Sequence, residues 1–210
     1  FMARYGDLEN IELVKAGLVY MGIDYEAHNK ENIPGPGRYV FVSNHPLGGL
    51  DGLVFMTEVS KYFKDIKFPV NDILLNIENM SGVFLPINKN GSKARESAIK
   101  IEEAYASDAQ ILYFPAGLCS RMKKGKIEDL DWQKNFLIKS IKHKRDIVPV
   151  YFSGRNSNWF YKLSNFRKAL GIRANIEMLY LPDEMFRQKD RSLHIVFGKA
   201  VSWKTFDRSK

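Results

Sequence analysis

A histidine and an aspartate six positions apart are the first residues able to do chemistry. In Val40-Phe41-Val42-Ser43-Asn44-His45-Pro46-Leu47-Gly48-Gly49-Leu50-Asp51-Gly52 an apolar run stops at Asn44-His45-Pro46, and the aspartate follows after two glycines. A neutral imidazole, with a reference pKa of about 6.5, can accept a proton near neutral pH. It does so best when a carboxylate fixes its other nitrogen. His45 and Asp51 form such a pair if residues 46–50 fold back, and Gly48 and Gly49 give the chain the freedom to do so. The simplest chemistry has the imidazole activate an external hydroxyl or amine. The plain alternative is a histidine beside a turn and an aspartate in the first turn of its helix.

The elements that would position this pair alternate in type. Leu8, Ile11, Val14, Leu18 and Met21 recur at helical spacing, predicting an amphipathic helix that packs on the domain or lies on a membrane surface. Residues 23–27 read as a strand, Pro34-Gly35-Pro36-Gly37 as a turn, and Tyr39–Ser43 as a buried strand. A helix over 50–63, strands over 67–70 and 82–87, a helix over 92–107 and a strand over 111–114 follow. Beyond them come a helix over 131–144, a strand over 147–152 and further signals at 159–170, 176–181 and 194–197. This alternation predicts an α/β fold, a mixed, largely parallel sheet flanked by helices. The strands 39–43, 84–87 and 111–114 each end in a polar or glycine-bearing turn. If they run parallel, His45, Lys89 and the 115–121 loop share the carboxyl edge, where open α/β sheets bind ligands.

The composition sets bounds. The 210 residues, 45% hydrophobic and 27% charged, suit one domain over 1–210, with 1–22 as its amphipathic N-terminal helix. Phe1 ahead of Met2 looks foreign, so native residues upstream are expected to be missing. No window is apolar enough to span a bilayer. The single cysteine, Cys119, excludes an internal disulfide and fits a cytoplasmic setting. Charge is uneven, with 11 basic against 14 acidic side chains in residues 1–105 and 21 against 10 in residues 106–210. The basic half suits an anionic membrane face, an acidic protein or nucleic acid. Nucleic acid is not expected, because the aromatic residues fall inside apolar strands and no binding motif appears. His28, His143 and His194 lack metal-ligand spacing, so no metal is expected.

Asn44-His45-Pro46-Leu47-Gly48-Gly49-Leu50-Asp51-Gly52 resembles the first motif of the glycerolipid acyltransferase superfamily, which includes the lysophosphatidic acid acyltransferases. Three further blocks follow in the family's order. Gly82-Val83-Phe84-Leu85-Pro86-Ile87-Asn88-Lys89 stands at the Gly-x-x-Phe-[Ile/Val]-x-Arg block, and Phe114-Pro115-Ala116-Gly117-Leu118-Cys119-Ser120-Arg121 is similar to Phe-Pro-Glu-Gly-Thr-Arg-Ser. Val148-Pro149-Val150-Tyr151 matches the fourth, so the resemblance covers about residues 23–200. Five residues separate His45 from Asp51 where the family usually has four. That places the chain near a hemolysin-labelled bacterial branch that includes acyltransferases of ornithine- and glycine-lipid synthesis.

The resemblance implies transfer of a fatty acyl group from a thioester to a lysolipid hydroxyl, with His45 as base and Asp51 orienting it. The donor would be acyl carrier protein or acyl coenzyme A, with no separate cofactor. Asn44, Gly48, Gly49, Lys89, Gly117, Ser120 and Arg121 would bind substrate, with backbone N–H groups near Gly48-Gly49 or Gly117 facing the oxyanion. Two departures bear on the acceptor. Ala116 replaces the usual glutamate, and Arg121 sits one place later than the usual arginine. A lyso-aminolipid with a carboxylate head fits these changes better than lysophosphatidic acid, which stays as the alternative. A non-catalytic lipid-binding protein of this fold and a thioesterase using Cys119 are further alternatives. The expected location is cytoplasmic, peripheral to the inner face of the cell membrane.

Overall fold

The computed structural model describes residues 1–71, 74–87 and 92–206, with only the backbone at 92 and 93. The chain opens with α1 (Met2–Tyr5), α2 (Asn10–Met21), β1 (Tyr25–His28), β2 (Tyr39–Ser43) and α3 (Leu50–Val59). Next come β3 (Ile66–Val70), β4 (Phe84–Pro86), α4 (Ser92–Ala106) and β5 (Gln110–Tyr113). A small hairpin, β6 (Arg121–Lys123) and β7 (Lys126–Glu128), leads to α5 (Asn135–His143) and β8 (Asp146–Phe152). The described chain then forms α6 (Asn158–Ala169), α7 (Leu181–Phe186) and β9 (Leu193–Phe197).

Seven strands form one sheet in the order β1-β9-β8-β2-β5-β3-β4, mixed and mostly parallel as the alternation of elements predicts. Among the described residues of this sheet, only the β8–β9 strand pairing is antiparallel. The central strands are apolar on both faces because both are covered. Phe41, Leu112 and Val148 pack with Leu13, Val14 and Leu18 of α2 and Val54 and Phe55 of α3. Val40, Val42, Ile111 and Ile147 pack on the other side with Tyr105 of α4 and Phe136 of α5. β2, β5 and β8 run parallel in the middle of this stack, so their carboxyl ends share one edge of the molecule.

Two sequence expectations shift for physical reasons. The helix read over 50–63 closes at Val59, because the chain turns and lays Phe63 against Tyr39 and Phe41, with ring centroids 6.1 and 5.8 Å apart. The β6–β7 hairpin was not foreseen. Its signal was Lys124-Gly125, both at positive φ (47° and 79°), the pattern that a two-residue hairpin turn demands.

Behind the sheet, the fully buried Arg145 caps the C-terminal end of α4. Its guanidinium donates to the carbonyls of Tyr105 (2.9 Å), Ala109 (2.7 Å), Ala104 (3.2 Å) and Ser107 (2.5 Å). These are carbonyls that a helix C-terminus and the following turn leave without internal partners. Replacing Arg145 by Met strands several of them in the core, at about 1–3 kcal/mol each before relaxation. Urea unfolding of Arg145→Met should therefore lose about 3 kcal/mol at an unchanged slope. A variant as stable as the parent would show that water replaces the guanidinium.

Candidate active site

β2 delivers His45 to the carboxyl edge of the sheet, and the 46–50 segment folds back onto it. Gly48 makes that possible. It sits at φ +81°, and a Cβ there would lie 2.9 Å from Leu181 Cδ2 and 3.0 Å from Cys119 Cβ. Asp51, in the first turn of α3, then places its carboxylate 2.9 Å from His45 Nδ1. The two residues differ sharply in exposure, at 13% for the His45 side chain and 0% for that of Asp51. The carboxylate is a buried anchor, while the ring reaches solvent.

Asp51 is held ionised by its surroundings. Burial alone would raise its pKa, but the His45 ring and the N–H groups of Leu47 (2.9 Å) and Gly48 (3.3 Å) outweigh it and hold the carboxyl below its ordinary value. Gly52 N–H donates to the other oxygen at 3.0 Å. An ionised carboxylate only accepts, so Nδ1 must carry the hydrogen. In the neutral ring the lone pair is then on Nε2, the orientation a general base requires.

The ring is fixed from two further sides. It stacks on Phe114, at the end of β5, with centroids 4.0 Å apart and planes 16° from parallel. Asp129, beyond β7, accepts from the backbone N–H of His45 (3.2 Å), the Ser120 hydroxyl (2.6 Å) and Trp132 Nε1 (3.0 Å). Ser120 N–H in turn donates to the His45 carbonyl at 2.8 Å. Nothing in the sequence marks Asp129, because only the hairpin brings it to His45. Asn44 clamps β8 by accepting from Phe152 N–H (2.7 Å) and donating to Phe152 O (2.9 Å).

Several residues expected to bind substrate are engaged otherwise. Arg121 is buried, and its guanidinium donates to Glu177 (3.0 Å) and to the carbonyl of Cys119 (2.8 Å). Glu177, also buried, accepts from Arg167 Nε at 2.6 Å as well. The one-place offset explains the correction. Ser120 and Arg121 stand at the entry to β6 and their side chains diverge: Ser120 Oγ donates to Asp129 beside His45, and the Arg121 guanidinium turns into the Glu177 network. Gly48 N–H is committed to Asp51 and Gly117 N–H to the Phe114 carbonyl at 3.0 Å. Gly49 N–H has no partner among the described residues. Gly117, at φ +70°, is exposed with open space beside its Cα. Lys89 lies outside the described residues. Cys119 is buried, and burial pushes its thiol up to about 11 despite the neighbouring Arg121, the opposite of what a nucleophile needs.

A fold with a His–Asp pair at the carboxyl edge of a largely parallel sheet fits the class that the motifs resemble, and the chain belongs to the Acyltransferase family, which matches residues 1–208. It is 44% identical over 211 residues to a lyso-glycine lipid O-acyltransferase of Bacteroides thetaiotaomicron, spanning 100% of this chain and 78% of that protein. A lyso-glycine lipid O-acyltransferase of Phocaeicola vulgatus is 43% identical over 201 residues, 95% of this chain and 72% of the relative. The fold is shared with the crystal structure of the 1-acyl-sn-glycerophosphate (LPA) acyltransferase PlsC from Thermotoga maritima. That match has a TM-score of 0.57 and 16% identity, and covers 95% of this chain and 70% of that one.

The lowered carboxyl of Asp51 has a consequence for stability. A depressed folded-state pKa contributes stability that is complete above the unfolded value, about 3.9, and is lost as pH falls through the lower folded value. The stability advantage of the parent over Asp51→Asn should therefore shrink as pH drops below about 4. A difference that stays constant down to the acid unfolding limit would contradict a buried, ionised Asp51.

Proposed function

We propose that this enzyme moves a fatty acyl group from a thioester to the hydroxyl of a lyso-glycine lipid, with His45 as general base oriented by Asp51. The observation that carries the mechanism is the 2.9 Å His45–Asp51 pair, with the carboxylate fully buried and the ring partly accessible. His45 Nε2 removes the proton of the acceptor hydroxyl as its oxygen attacks the thioester carbonyl. The tetrahedral oxyanion collapses, the C–S bond breaks, and the thiolate takes the proton back from Nε2. A thiol of reference pKa about 8.5 leaves readily, so activating the alcohol is the harder step. A positioned base contributes typically about 10²–10⁴-fold. With the Gly48 and Gly117 N–H groups engaged, the free N–H of Gly49 at the start of α3 is our candidate donor to the oxyanion.

The acceptor rests on the two relatives, both named for lyso-glycine lipid at 43–44% identity over nearly the whole chain. Ala116, buried and without a carboxylate at that position, supports an acceptor other than a phosphoglycerol. The donor is an acyl thioester of acyl carrier protein or coenzyme A. No helix among the described residues is long and apolar enough to cross a membrane. Peripheral attachment to the inner face of the cell membrane is supported by an exposed apolar strip beside the site. Val19 and Tyr20 at the end of α2 are exposed, and the Tyr20 ring meets the exposed Phe186 of α7, with centroids 6.3 Å apart. On the same short helix, Met185 lies against Gly49. Lys and Arg in the basic half would add attraction to anionic lipid of about 1 kcal/mol per residue near the surface.

Acyl transfer should be measured on anionic vesicles carrying lyso-glycine lipid, lyso-ornithine lipid or lysophosphatidic acid, with each donor in turn. The expected results are preference for lyso-glycine lipid, activity that falls with salt, and a loss of about 10² or more in folded His45→Ala. Preference for lysophosphatidic acid would overturn the acceptor, and undiminished His45→Ala would overturn the base. Indifference to salt would count against electrostatic attachment.

A further inference from the structure

Two histidines 166 positions apart meet at the β1–β9 edge of the sheet, far from each other in sequence and joined by register alone. Parallel pairing sets Glu26 opposite His194 and His28 opposite Val196. Residues 26 and 28 lie on one face of β1, the face opposite Tyr25 and Ala27, which pack against the core. Three potential ligand atoms therefore converge on the outer surface: Glu26 Oε2, His28 Nε2 and His194 Nδ1. Glu26 and His28 are exposed and His194 is half-buried, so the cluster is open to solvent.

The distances are informative. The two ring nitrogens are 3.0 Å apart, and Glu26 Oε2 lies 3.6 Å from His28 Nε2 and 3.5 Å from His194 Nδ1. One N–H···N hydrogen bond accounts for the first separation only. The carboxylate oxygen stands at nearly equal distance from both nitrogens, beyond hydrogen-bond length from either. An ion with bonds of about 2.0–2.2 Å in tetrahedral array holds its ligand atoms roughly 3.3–3.5 Å from each other. The observed triangle has nearly those sides.

We propose that Glu26, His28 and His194 bind one divalent transition-metal ion of the zinc class. Two imidazoles and one carboxylate are a donor set suited to that class, and the fourth position is left to water. The ion would tie the four-residue edge strand β1 to β9. His194 is itself tied to the end of β8: its N–H donates to Ser153 Oγ at 2.9 Å, and its carbonyl accepts from Ser153 N–H at 3.0 Å. Ser153 follows Phe152, whose backbone Asn44 clamps, so the metal clip braces the sheet two strands away from His45.

The test is a calorimetric titration of the chelator-treated, full 210-residue chain with zinc chloride, paired with thermal unfolding with and without zinc. The parent should bind one ion per chain and melt higher with zinc, since a ligand that binds the folded state stabilises it. His28→Ala and Glu26→Gln should each weaken binding by about tenfold or more and lose the zinc-dependent shift. His143→Ala, which removes a histidine paired instead with Glu102, should leave both intact. Circular dichroism identifies any variant that has failed to fold, and Glu26→Gln, a change on an exposed side chain, provides the second substitution. A parent that neither binds nor shifts with micromolar zinc would overturn the proposal. So would a His28→Ala that binds like the parent, or binding that disappears with His143.

Discussion

The site depends on one buried carboxylate. Asp51 accepts from the His45 ring and from the N–H groups of Leu47, Gly48 and Gly52. These bonds close the 45–52 segment on itself and set the first turn of α3. They also fix which nitrogen of His45 carries hydrogen. An unpaired charge in this position would be severely destabilising, so the loop cannot open without exposing or protonating Asp51. Loop shape and proton placement thus come from the same interaction: the group that folds the loop is the group that sets the tautomer of His45.

The rest of the molecule holds that loop in place. The parallel core of β2, β5 and β8 brings His45, Phe114 and Phe152 to one edge. Phe114 supports the ring face, Asn44 ties the exit of β2 to the end of β8, and Asp129 holds the His45 main chain through the hairpin. Leu181 of α7 fills the space beside Gly48, a contact that any side chain at position 48 would disrupt. Each contact comes from a different element, so precision at His45 is a property of the fold rather than of the motif.

Much of this was legible in the sequence, for identifiable reasons. The buried strands around Val40–Val42 and Ile111–Leu112 are continuous apolar runs, and such runs alternating with helices announce a covered parallel sheet. The His45–Asp51 contact was readable because it is local and because Gly48 supplies the positive φ it needs. Arg121 was expected at the substrate and lies buried against Glu177, because a motif match shifted by one residue carries no information about which way the side chain turns. Asp129 and the Glu26–His28–His194 cluster were invisible for another reason. Both arise where segments far apart in sequence meet through register or a hairpin.

The family and the relatives establish an acyltransferase, and the buried Asp51 sets the tautomer of His45 that the proposed mechanism needs. The most direct test is nitrogen-15 NMR of the histidine-labelled enzyme, with the His45 ring assigned by comparison with His45→Ala. At a pH where the ring is neutral, the account predicts hydrogen on Nδ1 and a bare Nε2. A ring protonated on Nε2, with Nδ1 accepting from a protonated Asp51, would contradict it.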